Sequence, residues 1–206
     1  MNKKEIRAFN FEVRAENDEK NGDFLEGQPI VYNERTDLGW YDEIIADGAL
    51  DGADLRDVRF LVNHNTDMIP LARSRNNNTD STMQLEVVPG AGMKIRVNLD
   101  TENNAEARAL YSAVKRGDIS GMSFMFSVSA DSWEDWESVH PTRTINKFDK
   151  IFEVSAVTFP AYEATSIQAR GLSDALERAK ESLESVRTEK RMIENKKKII
   201  KLLTEV

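Results

Sequence analysis

The stretch Arg116-Gly-Asp-Ile-Ser-Gly-Met-Ser-Phe-Met-Phe126 decides how this chain is read: a helix ends in it and a hydrophobic strand begins, with Ser120 and Ser123 at the junction. Upstream, Ala105, Ala109, Leu110 and Val114 fall at helical spacing between Asn104 and Lys115, and Gly117 is a natural stop. Downstream, Met122 to Val128 reads as a buried strand interrupted by Ser123 and Ser127. A serine inside an apolar strand must find a hydrogen-bond partner or lose roughly 1–3 kcal/mol. The commonest partner is a backbone carbonyl. The same junction is also the best place in the chain for a nucleophile.

Moving out toward the N-terminus, Glu5 to Ala15 shows the period-two pattern of a half-buried strand, and Asn21-Gly-Asp23 is a turn. Phe24 to Tyr32 and Trp40 to Ile45 read as strands, Asn33 to Leu38 as loop, and a short helix is expected near Leu50 to Leu55. Gln84 to Val88 and Met93 to Asn98 flank Pro89-Gly-Ala-Gly92, a hairpin signal. Between these lies Val58-Arg-Phe-Leu-Val-Asn-His64, which places an imidazole at the end of an apolar run as it enters a polar loop. There a histidine can be both supported and exposed. His140, the other imidazole, sits in Glu137-Ser-Val-His-Pro141 and reads as surface loop.

Toward the C-terminus, Asp131 to Glu137 reads as an excursion at the end of the serine strand, and Asn146 to Ala156 as another strand, in which the acid Glu153 is set directly among Ile151, Phe152 and Val154. Carboxylates are seldom fully buried without a partner. Strand alternation sets Glu153 on the face opposite Phe152 and Val154, and the plainest expectation is that this face is solvent. From Gly171 the composition changes. Leu172, Leu176, Ala179, Leu183, Val186, Lys190, Ile193, Lys197 and Ile200 recur at spacings of four and three, a heptad seam interrupted by two lysines. Residues 171–206 are therefore expected to form a long amphipathic helix, basic at its end and separable from a domain over 1–170, packing on a partner, a second copy or the body.

Composition narrows the chemistry. The 206 residues hold no cysteine, which excludes thiol catalysis and disulfides, and with two histidines a structural zinc site is not expected. A net charge of −8 argues against nonspecific nucleic-acid binding. No run approaches the roughly 20 apolar residues of a membrane span, so a soluble, cytosolic-type protein with no cofactor is expected. Ser123, His64 and Glu153 are each ordinary, but together they supply a nucleophile, a base and a carboxylate to orient the base. There is no Gly-x-Ser-x-Gly elbow, which weighs against an α/β-hydrolase.

Three segments carry a resemblance: Val58 to His64, Arg116 to Phe126, and Phe152-Glu-Val-Ser-Ala-Val-Thr-Phe-Pro-Ala-Tyr162. In this order they resemble the signature blocks of the tailed-phage prohead (capsid maturation) serine proteases, over about residues 5–170. The resemblance implies an α+β fold similar to the herpesvirus assemblins, a mainly antiparallel β-barrel with surrounding helices. It further implies His64 as general base, Ser123 as nucleophile in preference to Ser120, and Glu153 as third member where assemblins use a second histidine. By the same resemblance, Arg73 or Arg75 is the arginine that would assist at an oxyanion. The implied substrates are the scaffold segment and N-terminal region of the major capsid protein and the enzyme's own tail, cut inside the procapsid in the host cytoplasm. The competing expectation is a non-catalytic scaffold or assembly protein whose helical tail carries the function.

Overall fold

The structure, a computed structural model, describes residues 4–9, 13–18, 22–158 and 168–204. The hydrophobic run after the junction becomes β10 (Gly121–Glu134), which pairs antiparallel along its length with β11 (Thr142–Val157). These two long strands are the spine of a seven-stranded sheet. β1 (Glu5–Phe9) runs antiparallel along the free side of β10. The other side of β11 is shared: its first residues pair in parallel with β5 (Asp42–Ile45) and its last with β6 (Asp57–Val62). β4 (Arg35–Asp37) and β7 (Ala72–Arg75) extend those two branches. A second, wholly antiparallel sheet has the order β2 (Val13–Asp18), β3 (Gly22–Val31), β9 (Gly92–Asn98), β8 (Met83–Val88).

The core lies between the sheets. Leu25, Ile30, Met93 and Val97 of the smaller sheet belong to one buried cluster with Phe60, Phe124, Phe126, Ile151 and Val154 of the larger. Strand alternation puts Phe124 and Phe126 on this inner face, which leaves Ser123 on the other. Gly92 has φ 123 and a backbone so close to β3 that a Cβ would stand 2.0 Å from the Ile30 carbonyl oxygen, so only glycine fits that step of the ladder.

Helix α1 (Ala105–Arg116) forms as its spacing predicts, and lays Ala107, Leu110 and Val114 against β2 and β3. Asn104 caps it by accepting from the amides of Glu106 and Ala107, and Gly117 ends it in the left-handed region at φ 81. Helix α2 (Gln168–Thr204) buries Ala175, Ala179 and Leu183, the last two in a cluster with Tyr41 and Trp133. Trp133 donates its indole N–H to Ser182 and Arg187 donates to the Trp136 carbonyl. Farther along, Met192, Ile193, Ile199 and Ile200 are exposed. No described helix is long and apolar enough to cross a membrane.

The closed β-barrel expected from the sequence is corrected: among the described residues both sheets are open. The larger sheet forks at β11, whose two ends pair with separate short strands instead of continuing round. At the outer edge of β7, the amides of Arg73 and Arg75 donate to the hydroxyls of Thr82 and Ser81, at 2.9 and 3.0 Å, where a ladder to β8 would be needed to close the gap. Other differences are local. Leu50 to Leu55 contains turns and no helix, the expected loop Asn33 to Leu38 contains β4, and β10 runs on through Asp131 to Glu134. The expected first strand is divided between β1 and β2, which lie in different sheets.

Candidate active site

Two strands deliver two of the three chemical groups, Ser123 and Glu153, to one face of the larger sheet. In the β10–β11 register Ser123 stands opposite Ser155, and Met125 opposite Glu153. Side chains of directly paired residues project on the same face, so Ser123, Glu153 and Ser155 share the face away from the core. Both strands are interior to the sheet, which is why Glu153 is only 3% exposed and Ser123 fully buried. The expectation that the Glu153 face is open solvent therefore does not hold.

His64 arrives from β6. Pairing of β6 with β11 ends at Val62 opposite Ala156, and the Asn63 amide still reaches the Ala156 carbonyl at 3.0 Å. The chain then turns sharply. Asn63 and His64 have φ of 51 and 56, and the Asn65 amide closes on the Val62 carbonyl at 3.1 Å. Two successive positive φ values are the mark of a type I′ turn, a conformation that asparagine and histidine tolerate better than most non-glycine residues. The Asn63 side chain exchanges two hydrogen bonds with Thr158, each 3.0 Å, tying the turn to the end of β11.

The turn brings the imidazole between the other two groups. His64 Nδ1 lies 2.5 Å from Glu153 Oε1, and Nε2 lies 2.6 Å from Ser123 Oγ. An ionised carboxylate only accepts, so Nδ1 carries the proton of the neutral ring and Nε2 is left as an acceptor facing the hydroxyl. That is the arrangement needed to deprotonate an alcohol and to stabilise the imidazolium that results. Ser123 Oγ also lies 2.7 Å from the Arg7 carbonyl oxygen. The hydroxyl thus has one proton and two acceptors within reach.

Arg7 is held by a buried charge cluster that the sequence reading missed. Its guanidinium donates to both oxygens of Glu43, at 2.5 and 2.7 Å, and to Glu5 and Tyr41. Arg143 donates to Glu5, Glu43 and Asp131. Burial acts to raise the Glu5 carboxyl, but the Arg143 hydrogen bond and the Arg7 and Arg143 charges outweigh it and hold the group below its usual value. Burial pushes the Tyr41 hydroxyl well up, so it stays protonated. β1 is thereby clamped against β10 beside the nucleophile. The only advance sign was alternating charge in Glu5-Ile-Arg7.

The remaining sequence candidates lie elsewhere. Ser120 is exposed in the turn before β10. His140 Nε2 is 3.1 Å from Asp42 at the surface. The Arg73 guanidinium is engaged by Asp57 at 2.6 and 2.9 Å. Asp37, Asp42 and His140 bring three ligand-type atoms within 4.8 Å of one another, but Asp42 is already paired with Arg35 and His140. A cleft of about 280 Å³ opens beside Glu153, lined by Arg59, Leu61, Thr66, Met68, Pro70 and Phe152. A larger concavity of about 780 Å³ lies over the smaller sheet, between Arg14, Gln28, Gln84 and Lys94, and contains no paired nucleophile and base.

Comparison with known proteins points to the same chemistry. The family model of the caudovirus prohead serine protease matches residues 9–180. The prohead protease of Enterobacteria phage HK97 is 31% identical over 169 residues, covering 81% of this chain and 68% of that protein. No solved structure matches. The family match takes in every strand after β1, α1 and the first part of α2, and so contains His64, Ser123 and Glu153: this chain belongs to the caudovirus prohead serine proteases.

Proposed function

We propose that Ser123, His64 and Glu153 are the nucleophile, general base and third member of this capsid-maturation serine protease. The observation that carries the reading is that one imidazole meets a serine hydroxyl with Nε2 and a buried carboxylate with Nδ1. Chemistry follows from those contacts. As Ser123 Oγ attacks the scissile carbonyl carbon, its proton passes to His64 Nε2, and Glu153 stabilises the imidazolium. Collapse of the tetrahedral intermediate breaks the C–N bond, and Nε2 returns the proton to the departing amine. A water molecule, deprotonated in turn by Nε2, then hydrolyses the acyl-enzyme and regenerates the Ser123 hydroxyl.

The substrates proposed are the scaffold segment and N-terminal region of the major capsid protein, within the procapsid, together with the enzyme's own tail. The phage HK97 relative is a prohead protease, which supports that setting. Residues 1–170 would act as the protease domain and 171–206 as a tail, whose exposed Met192, Ile193, Ile199 and Ile200 and flanking lysines suit docking on scaffold or on a second copy. The likeness to herpesvirus assemblins rests on the block order and the largely β body, with Glu153 where those enzymes have histidine.

The test is to express the wild type and Ser123→Ala side by side and weigh the chains. Loss of a C-terminal piece from the wild type alone supports self-processing by Ser123. Should both remain intact even when co-expressed with the capsid protein, and that protein remain uncut, the assignment fails.

A further inference from the structure

We propose that Ser155 is a positioning residue of this site, whose one hydroxyl locks the Glu153 carboxylate and the His64 backbone into a single unit. The inference rests on the assignment of His64 and Glu153 given above.

Ser155 is fully buried in β11, two residues after Glu153 and directly opposite Ser123. A buried serine ordinarily donates to a nearby carbonyl. This one donates to Glu153 Oε2 at 2.5 Å, while its oxygen accepts the His64 amide N–H at 3.1 Å. The proton's direction is fixed, because the carboxylate can only accept and the amide can only donate.

Each bond removes a different freedom. The terminal torsion of a glutamate is soft and broad, so a carboxylate held only through Oε1 could swing and carry the imidazole with it. Anchoring Oε2 to Ser155 leaves Oε1 facing Nδ1. At the other end, the backbone ladder stops at Asn63, whose amide takes the Ala156 carbonyl. The next amide, His64, has left the sheet at φ 56. The Ser155 hydroxyl stands in for the carbonyl that the sheet no longer offers, and so holds the turn that aims the ring. Preorganisation of this kind matters because misplacement by about 1 Å can cost on the order of 100-fold in rate.

The test uses the full chain with Ser155→Ala, Ser155→Cys, which keeps volume but is a poor donor, and Ser155→Thr, which restores a hydroxyl. Two readouts are needed. One is the low-field proton NMR resonance of the imidazole Nδ1–H, assigned by its loss in His64→Gln. The other is labelling by a fluorophosphonate probe, with kinact and KI separated and the label mapped by peptide mass. The expected result is that Ala and Cys shift or abolish the resonance and lower kinact roughly 10- to 100-fold with KI unchanged, and that Thr recovers both in part. A resonance and kinact at wild-type level in Ser155→Ala, or in Ser155→Cys if the alanine variant does not fold, would overturn the proposal. So would the absence of any low-field resonance in the wild type. A label on a serine other than Ser123 would instead overturn the nucleophile assignment, and the resonance would still decide whether Ser155 holds the His64–Glu153 pair.

Discussion

A single proton governs what Ser123 can do. Its oxygen lies 2.6 Å from His64 Nε2 and 2.7 Å from the Arg7 carbonyl, and the hydroxyl can donate to only one of them in full. Attack requires the imidazole to win, which follows if Glu153 keeps the ring in the tautomer with Nε2 bare. Ser123→Ala and His64→Ala should each reduce cleavage by about 10⁴-fold or more while the far-UV spectrum is retained. Ser120→Ala, in the exposed turn, should cleave as the wild type does; a dead Ser120 variant would move the nucleophile. Glu153→Gln tests the third member. It keeps shape but loses the charge that stabilises the imidazolium, and kcat should fall roughly 10²- to 10⁴-fold with KM little changed.

At the level of elements, the site is a consequence of two central strands and one turn. β10 and β11 set the serine and the acid on one face by their register, and the turn after β6 carries the base across to them. β1 is fastened to this unit by Arg7, whose guanidinium is buried among Glu5, Glu43 and Tyr41. Removing one member of a buried ion cluster leaves its partners uncompensated, so Arg7→Ala should destabilise the fold by about 3–5 kcal/mol, measured from the urea midpoint. An Arg7→Ala protein as stable as the wild type would mean that β1 is not clamped this way. The helix ends are smaller matters. Asn104→Ala removes the cap of α1 and should cost about 1 kcal/mol. Gly92→Ala should cost distinctly more, because its new Cβ meets backbone rather than a side chain that could move.

For the molecule as a whole, the buried and surface carboxylates fix the acid limit of stability. Glu5 is held below its usual value, and so are Asp57 by its hydrogen bond from Arg73 and Asp42 by its bond to His140. A carboxyl depressed in the folded state contributes stability that is present above its unfolded pKa of about 4 and is lost as pH falls through the folded value. The thermal midpoint should therefore fall between about pH 5 and pH 3, and Glu5→Gln should flatten that slope. A midpoint that climbs on acidification would contradict the cluster. Much of this was legible beforehand, since periodicity, caps and turn residues act over a few neighbours: α1 with Asn104 and Gly117, the hairpin at Pro89 to Gly92, the strands on either side of it, and the helix at the C-terminal end. The three residues that meet in the site, His64, Ser123 and Glu153, were legible as chemical types in suitable local settings. What the sequence left undetermined were matters of long range. Alternation put Glu153 on a face but could not say that β6 and β10 would flank β11 and bury that face. Nor could it show β11 forking between β5 and β6, which leaves the sheets open, or Arg7 reaching Glu43 across 36 residues. Local pattern determines which residues can form a strand and which way they face; only the tertiary pairing of strands decides what that face meets.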